Sequence, residues 1–213
     1  MKSKYFSKEE IKMERKSKQE RKTKETSVII TLNLDGAGNA MINTGIGFFD
    51  HMLHHIAVHG TFDIDVKAKG DLHIDTHHTI EDVGIVLGAA FKQAIGDKSG
   101  IARIGHSYVP MDEALSFVVV DFSNRPYSKI EIPWTGLYLS KVQDELIPVT
   151  LIEHFLQTFA IHADITLHVK VLSGKDDHHI AESVFKALGS SLDKASRFDP
   201  KRKSKIPSTK GII

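Results

Sequence analysis

A pair of adjacent histidines followed by a glutamate occurs twice in this 213-residue chain, at an offset of 101 residues. The first copy reads Asp75-Thr76-His77-His78-Thr79-Ile80-Glu81-Asp82, the second Asp176-Asp177-His178-His179-Ile180-Ala181-Glu182-Ser183. An offset close to half the chain implies a duplicated unit. Each copy stands where a helix should begin. Thr76 and Asp177 fall at N-cap positions, and apolar residues follow at helical spacing: Ile80, Val83, Val86 and Leu87 in one copy, Ile180, Val184 and Leu188 in the other.

Helix geometry then constrains the chemistry. His77 and Glu81 are i and i+4, so they share a face and can grip one cation, and His178 and Glu182 repeat the pair. His78 and His179 project roughly 100° further round the helix, too far to join the same ion. Each motif therefore offers a chelating pair to one metal and a lone imidazole to another. Two motifs facing each other would build two sites by exchanging lone imidazoles. The chain has no cysteine, so thiolate ligands, cysteine nucleophiles and disulfides are excluded. A nitrogen and oxygen donor set suits Mn, Fe, Co or Zn, and open coordination positions would make the sites catalytic.

The duplication extends beyond the motif. Phe49-Asp50-His51-Met52-Leu53 matches Ile152-Glu153-His154-Phe155-Leu156, and in both cases another histidine, His59 or His162, follows eight residues on. Asp63-Ile64 then pairs with Asp164-Ile165 at the 101-residue offset. A single histidine on an apolar helix is usually a core residue, but repetition in register raises His51 and His154 to candidate ligands. His54 and His55 share the helix of His51 without counterparts in the second half, and His73, His106 and His168 match nothing. Eight of the thirteen histidines fall in the clusters 51–59, 77–78 and 178–179.

Strand patterns cover 27–34, 62–67, 116–122 and 165–172, with 40–43 expected to return as a hairpin and 129–132 to continue the second sheet. Helical periodicity covers the segment after Gly47, the first motif to about Ala94, 149–162 and 178–195. The pattern predicts an α+β fold of two similar halves, each with an antiparallel sheet backed by helices. The domain is expected over 21–213, with repeats at about 21–115 and 116–198 and a basic C-terminal tail.

Charge is unevenly placed. Residues 1–24 carry ten Lys/Arg against four Glu, and 194–213 carry seven against one Asp, so the intervening body is acidic although the net charge is +1. Residues 1–20 read as a flexible charged extension. Interspersed glutamates and a single aromatic pair, Tyr5-Phe6, argue against a nucleic-acid-binding arm. No apolar run reaches membrane-span length and the N-terminus does not read as a secretory signal, so neither nucleic acid nor membrane is expected as a partner and the cytoplasm is the expected compartment. No Ser/His/Asp triad or Walker-type loop is present. Arg103, Arg125 and the Ser208-Thr209-Lys210 tail are candidate phosphate ligands.

Several ordered motifs together resemble the imidazoleglycerol-phosphate dehydratases from about Arg21 to the C-terminus. They are Thr23-Lys24-Glu25-Thr26, Leu34-Asp35-Gly36, Phe49-Asp50-His51-Met52-Leu53, the two His-His segments, Pro110-Met111-Asp112-Glu113-Ala114-Leu115, Arg125-Pro126-Tyr127 and Ile206-Pro207-Ser208-Thr209-Lys210-Gly211. Asn124 stands where the family usually has glycine.

The resemblance implies a duplicated fold like the second domain of ribosomal protein S5, and a homo-oligomer of 24 subunits with sites at subunit interfaces. It implies two Mn²⁺ per active site. The ligand pattern falls on His51, His78, His178 and Glu182 for one ion and on His77, Glu81, His154 and His179 for the other. The implied reaction dehydrates D-erythro-imidazoleglycerol phosphate to imidazoleacetol phosphate in histidine biosynthesis, with the substrate ring held as an imidazolate between the ions. Glu25 is the implied acid/base, with His77, Glu81, His178 and Glu182 in the catalytic set. Arg103, Arg125, Lys186, Ser208 and Lys210 would hold the phosphate, and His59 would contact substrate. His51 and the catalytic residues also line the implied substrate site. Two competing readings are a metal-storage module with a basic nucleic-acid-binding arm and a dinuclear metallohydrolase. The first leaves Glu25, Arg103 and Arg125 without a task, and the second would favour bridging aspartates over isolated glutamates.

Overall fold

A computed structural model describes residues 14–139, 146–203 and 205–213. The first half runs β1 (Lys16–Lys22), β2 (Ser27–Asn33), β3 (Ala40–Asn43), α1 (Gly47–Gly60), β4 (Asp63–Lys69), α2 (His77–Ile95). The second repeats it as β5 (Ile104–Met111), β6 (Ala114–Asp121), β7 (Tyr127–Glu131), α3 (Val149–His162), β8 (Thr166–Ser173), α4 (Asp177–Ser196). Each half forms a four-stranded sheet, ordered β1-β2-β4-β3 and β5-β6-β8-β7. In both sheets the first three strands are antiparallel, and the last runs parallel to its neighbour. The duplicated α+β architecture expected from the sequence is the one the chain adopts.

Alternation decides which face of each sheet is buried. Val28, Ile30 and Leu32 of β2, and Val118 and Val120 of β6, are fully enclosed, while their neighbours in sequence point outward. The helices lie between the two sheets. α2 covers the first sheet and α4 the second, while α1 packs on α4 and α3 on α2. Phe155 of α3 sits among Phe49, Phe159 and Phe185, with ring centroids 5.2–6.3 Å apart. Each such ring, removed from water, contributes roughly 2–3 kcal/mol. Two glycines set the helix spacing. A Cβ on Gly88 would lie 2.7 Å from the Phe159 carbonyl, and one on Gly189 2.8 Å from that of Ile56. Helices of opposite halves therefore touch backbone to backbone.

This cross-half packing places the site. It carries α1 of the first half to the motif of the second, and α3 of the second to the motif of the first.

Several expectations are corrected. Residues 16–20, assigned by composition to a charged extension, form most of β1; residues 1–13 lie outside the described residues. β5 was not evident as a strand, because its inward residues are Gly105 and Ser107 rather than apolar side chains. It belongs to the second half, so the repeats divide before Ile104 rather than at 115/116. β3 does not return on β2 as a hairpin but pairs parallel with β4.

The internal register also changes along the chain. Thr61 and Asp164 are both left-handed residues after a helix, and the amides of Phe62 and Ile165 both reach back to the carbonyl five residues earlier. Phe62 is therefore the counterpart of Ile165, not Ile64, and the offset here is 103 residues, as it is between His51 and His154. The offset returns to 101 at the His-His motifs because the connection from β4 to α2 (residues 70–76) is longer than that from β8 to α4 (174–176).

Candidate active site

Both motif helices begin under an aspartate. The His77 amide donates to Asp75 Oδ1 and the His178 amide to Asp176 Oδ1, each at 2.8 Å. The expected caps, Thr76 and Asp177, do not do this. The Thr76 hydroxyl is buried without a hydrogen-bond partner, and Asp177 accepts from the amides of Thr135 and Gly136. Aspartate at these starts also complements the positive helix end.

At the first cluster, α1 and α4 converge on Glu182. Its Oε1 lies 2.8 Å from His51 Nε2 and 3.0 Å from His178 Nε2. Its Oε2 takes the Lys186 ammonium at 2.7 Å and lies 3.3 Å from His55 Nε2. Burial opposes the charge on Glu182, yet Lys186, His51 and His178 outweigh it and hold the carboxyl at about 2. Glu182 is thus an anion at any physiological pH, only 9% exposed.

The second cluster joins α2 and α3. His154 Nε2 lies 3.1 Å from Glu81 Oε1, and the His77 ring lies tilted beside that of His154, their centroids 5.0 Å apart. Two donor groups emerge that can hold a metal ion, His51–His55–Glu182 and His77–Glu81–His154, each with its atoms within 4.8 Å of one another. The chemistry fits: imidazole nitrogens and one carboxylate, with no sulfur, are the donors that borderline first-row ions accept.

His78 and His179 stand apart from both groups. His78 Nδ1 lies 3.1 Å from Asp71 Oδ2, and His179 Nδ1 lies 2.8 Å from Glu113 Oε2. These carboxylates raise the pKa of both rings. Glu113 in turn accepts the Asp176 and Lys175 amides, which with His179 lower its carboxyl to about 2. The expected exchange of imidazoles between the two motifs does not occur within one chain. The motifs lie on separate clusters, each joined by histidine from the other half: His154 of α3 beside His77 and Glu81, and His51 and His55 of α1 beside Glu182.

Glu25 sits in a turn built by Thr23, whose hydroxyl accepts the amides of Glu25 and Thr26. Asp82 of α2 ties that turn down, accepting from Arg21 Nε at 2.7 Å and from the Thr26 hydroxyl. Glu25 Oε2 is thereby 3.9 Å from His78 Nδ1.

The phosphate candidates divide. Arg103, Arg125, Ser208 and Lys210 line one basic groove with Lys201, Arg202 and Lys205. Arg103 adopts a left-handed backbone, φ +73°, and is locked by Asp121 and by the Pro207 carbonyl at 2.7 Å. Lys186 is elsewhere, on Glu182. His59 follows His55 along α1, their ring centroids 5.7 Å apart, and burial lowers its pKa.

Sequence reasoning missed three members of this arrangement. His55 had no counterpart to flag it, and Asp71 and Glu113 lie outside the His-His motifs. The matching segment 110–115 contained Glu113 but gave it no role.

The dehydratase family model matches residues 44–192. The chain belongs to the imidazoleglycerol-phosphate dehydratase family. It is 52% identical over 199 residues to the imidazoleglycerol-phosphate dehydratase of Polaromonas sp. strain JS666, covering 93% of this chain and 94% of that one. The Acetivibrio thermocellus imidazoleglycerol-phosphate dehydratase is 51% identical over 201 residues, covering 94% of this chain and all of its own. Among solved structures, the Staphylococcus aureus dehydratase superposes with a TM-score of 0.76 at 33% identity, over 86% of this chain and 99% of that one. The Pyrococcus furiosus enzyme gives 0.75 at 34% identity, over 91% and 99%. The family is one of hydro-lyases in histidine biosynthesis, and this chain is an enzyme of that class. No described helix is long and apolar enough to cross a membrane.

Proposed function

We propose that the protein dehydrates D-erythro-imidazoleglycerol phosphate to imidazoleacetol phosphate, using two manganese ions at a site completed by a second copy of the chain. The observation that carries this reading is the division of each His-His motif. In the first motif His77 and Glu81 join a three-donor group with His154; in the second, Glu182 joins His51 and His55 and lies 3.0 Å from His178 Nε2. In both, the second histidine is held away by a carboxylate on Nδ1, which leaves Nε2 for another partner. A carboxylate behind a ligating imidazole is the usual way such a ring is oriented.

In this reading His51, His178 and Glu182 hold one ion, and His77, Glu81 and His154 the other. His78 and His179 of neighbouring copies complete them. Bound ions would supply positive charge on both sides of the substrate's imidazole ring, which lowers the cost of charge that develops there. The hydroxyl that leaves as water is on the carbon attached to that ring, and the proton to be lost lies on the next carbon, which keeps its own hydroxyl. Glu25 is the acid/base at those carbons, placed beside His78 by the Thr23–Asp82 anchor. The enol so formed becomes the ketone. Arg103, Arg125, Ser208 and Lys210 bind the phosphate through charge-assisted hydrogen bonds, and Lys186 and His59 face the substrate beside Glu182. The same resemblance supports an assembly of 24 copies in the cytoplasm.

The test is conversion of imidazoleglycerol phosphate by the manganese-loaded, assembled protein, followed as imidazoleacetol phosphate. Product formation supports the reading, and a folded, loaded protein that forms none overturns it.

A further inference from the structure

The two clusters are not equivalent, and the difference lies in His55. The structural offset of 103 residues between α1 and α3 pairs His51 with His154 and His59 with His162, and it pairs His55 with Thr158. The first half thus carries a stripe of three histidines at i, i+4 and i+8 along one helix face, whereas the second has threonine in the middle. Thr158 is 7% exposed and packed against α2 near Gly84. It offers no nitrogen donor.

His55 is placed as a donor should be. Its Nε2 lies 3.3 Å from His51 Nε2 and 3.3 Å from Glu182 Oε2. Metal bonds to imidazole and carboxylate are about 2.0–2.2 Å long, so donors on adjacent coordination positions sit about 3 Å apart. The His55 side chain is 14% exposed against 45% for His51, so it approaches Glu182 from the enclosed side of the helix. Its ring meets that of His51 edge-on, at a centroid separation of 4.5 Å.

We propose that His55 is a metal ligand, contributing an additional imidazole nitrogen to the ion at Glu182, and that the two metal sites of this protein are consequently unequal. The inference rests on the metal-binding reading of the clusters, but not on the identity of the substrate. A role confined to hydrogen bonding with the outer oxygen of Glu182 is already filled by Lys186, and the two roles separate experimentally. Glutamine can replace a hydrogen-bonding imidazole; its amide is a poor replacement for a ligating one.

The experiment strips the full-length assembled protein with chelator, titrates it with Mn²⁺, and counts bound ions from the free-ion EPR signal. Pulsed EPR of the bound ions then compares imidazole nitrogen couplings at the two sites. The wild type is expected to show two affinity classes, the tighter with one more coupled nitrogen. His55→Gln and His55→Thr, the latter supplying the residue of the second half, should both weaken the tighter class by about tenfold or more and leave the other unchanged. Unchanged affinities in both variants, or weakening by threonine but not by glutamine, would overturn the proposal. If neither variant assembles, equal nitrogen counts at the two wild-type sites would overturn it and unequal counts support it. A wild type that takes up no Mn²⁺ at all would instead remove the metal reading itself, and this inference with it.

Discussion

His179 Nδ1 lies 2.8 Å from Glu113 Oε2, and this contact fixes a ring that belongs to neither donor group of its own chain. Glu113 is itself anchored by the amides of Lys175 and Asp176, just ahead of the motif helix. The carboxylate therefore orients the imidazole against the start of α4.

If His179 ligates through Nε2, loosening this contact weakens the metal. Glu113→Gln is expected to lower affinity for one ion of the pair about 10–100-fold while leaving thermal stability nearly unchanged. Metal analysis after graded chelation measures it, and full retention of both ions at wild-type affinity would contradict it.

Glu25 is exposed, and among the described residues its carboxylate has only the 3.9 Å approach to His78, its backbone being held by Thr23. Glu25→Gln should therefore keep metal content and substrate binding while kcat falls about 10²–10⁴-fold, the usual contribution of a positioned acid/base. Steady-state kinetics beside a binding isotherm would check it. Unchanged kcat would remove Glu25 from the chemistry.

Asp63 tests the fold rather than the site. Its Oδ1 accepts the amides of Ala37 and Asn39 and the Asn39 side chain, closing the β2–β3 connection. The Ala37 amide leads the groups that lower its pKa below 3.8. A carboxyl with a depressed folded pKa stabilises above its unfolded pKa, and that contribution is lost as pH falls through the folded value. Asp63→Asn should cost about 1 kcal/mol near neutrality, with the difference from wild type vanishing in acid. Denaturant melts at several pH values report this, and a constant difference down to pH about 2 would contradict the assignment.

The proposed sharing of the site between copies predicts complementation. Chains with His78→Ala and chains with Glu182→Gln should each be inactive alone. Co-assembled, they form some sites with the intact 178–179 motif of one chain and the intact 77–78 motif of the other. About a quarter of sites should then be whole at equal, random mixing. Mixed assemblies as inactive as their parents would place each site within one chain.

How much of this was legible in the sequence depends on what each residue had to signal. Strands that bury alternate valines and isoleucines, such as β2 and β6, declared themselves. β1 and β5 did not, because their inward positions are Ser17, Gly105 and Ser107. Ser17 donates to the Ala90 carbonyl at 2.8 Å, and Gly105 lies so close to α4 that a Cβ would meet the Ser191 carbonyl at 2.1 Å. Pairing and close approach make these strands, and neither leaves an apolar period. The i, i+4 pairing of histidine with glutamate was readable from helix geometry. That His51 reaches Glu182 and His154 reaches Glu81 was not, since it follows from helices of opposite halves meeting at Gly88 and Gly189. His55 was invisible for the opposite reason to His51: the repeat that flags one histidine is silent about the other.

The most direct measurement is turnover of imidazoleglycerol phosphate by the assembled protein before chelation, after chelation, and after Mn²⁺ is restored. The account predicts activity that is lost with the metal and returns with it. Turnover that persists in protein shown to be free of metal would contradict it.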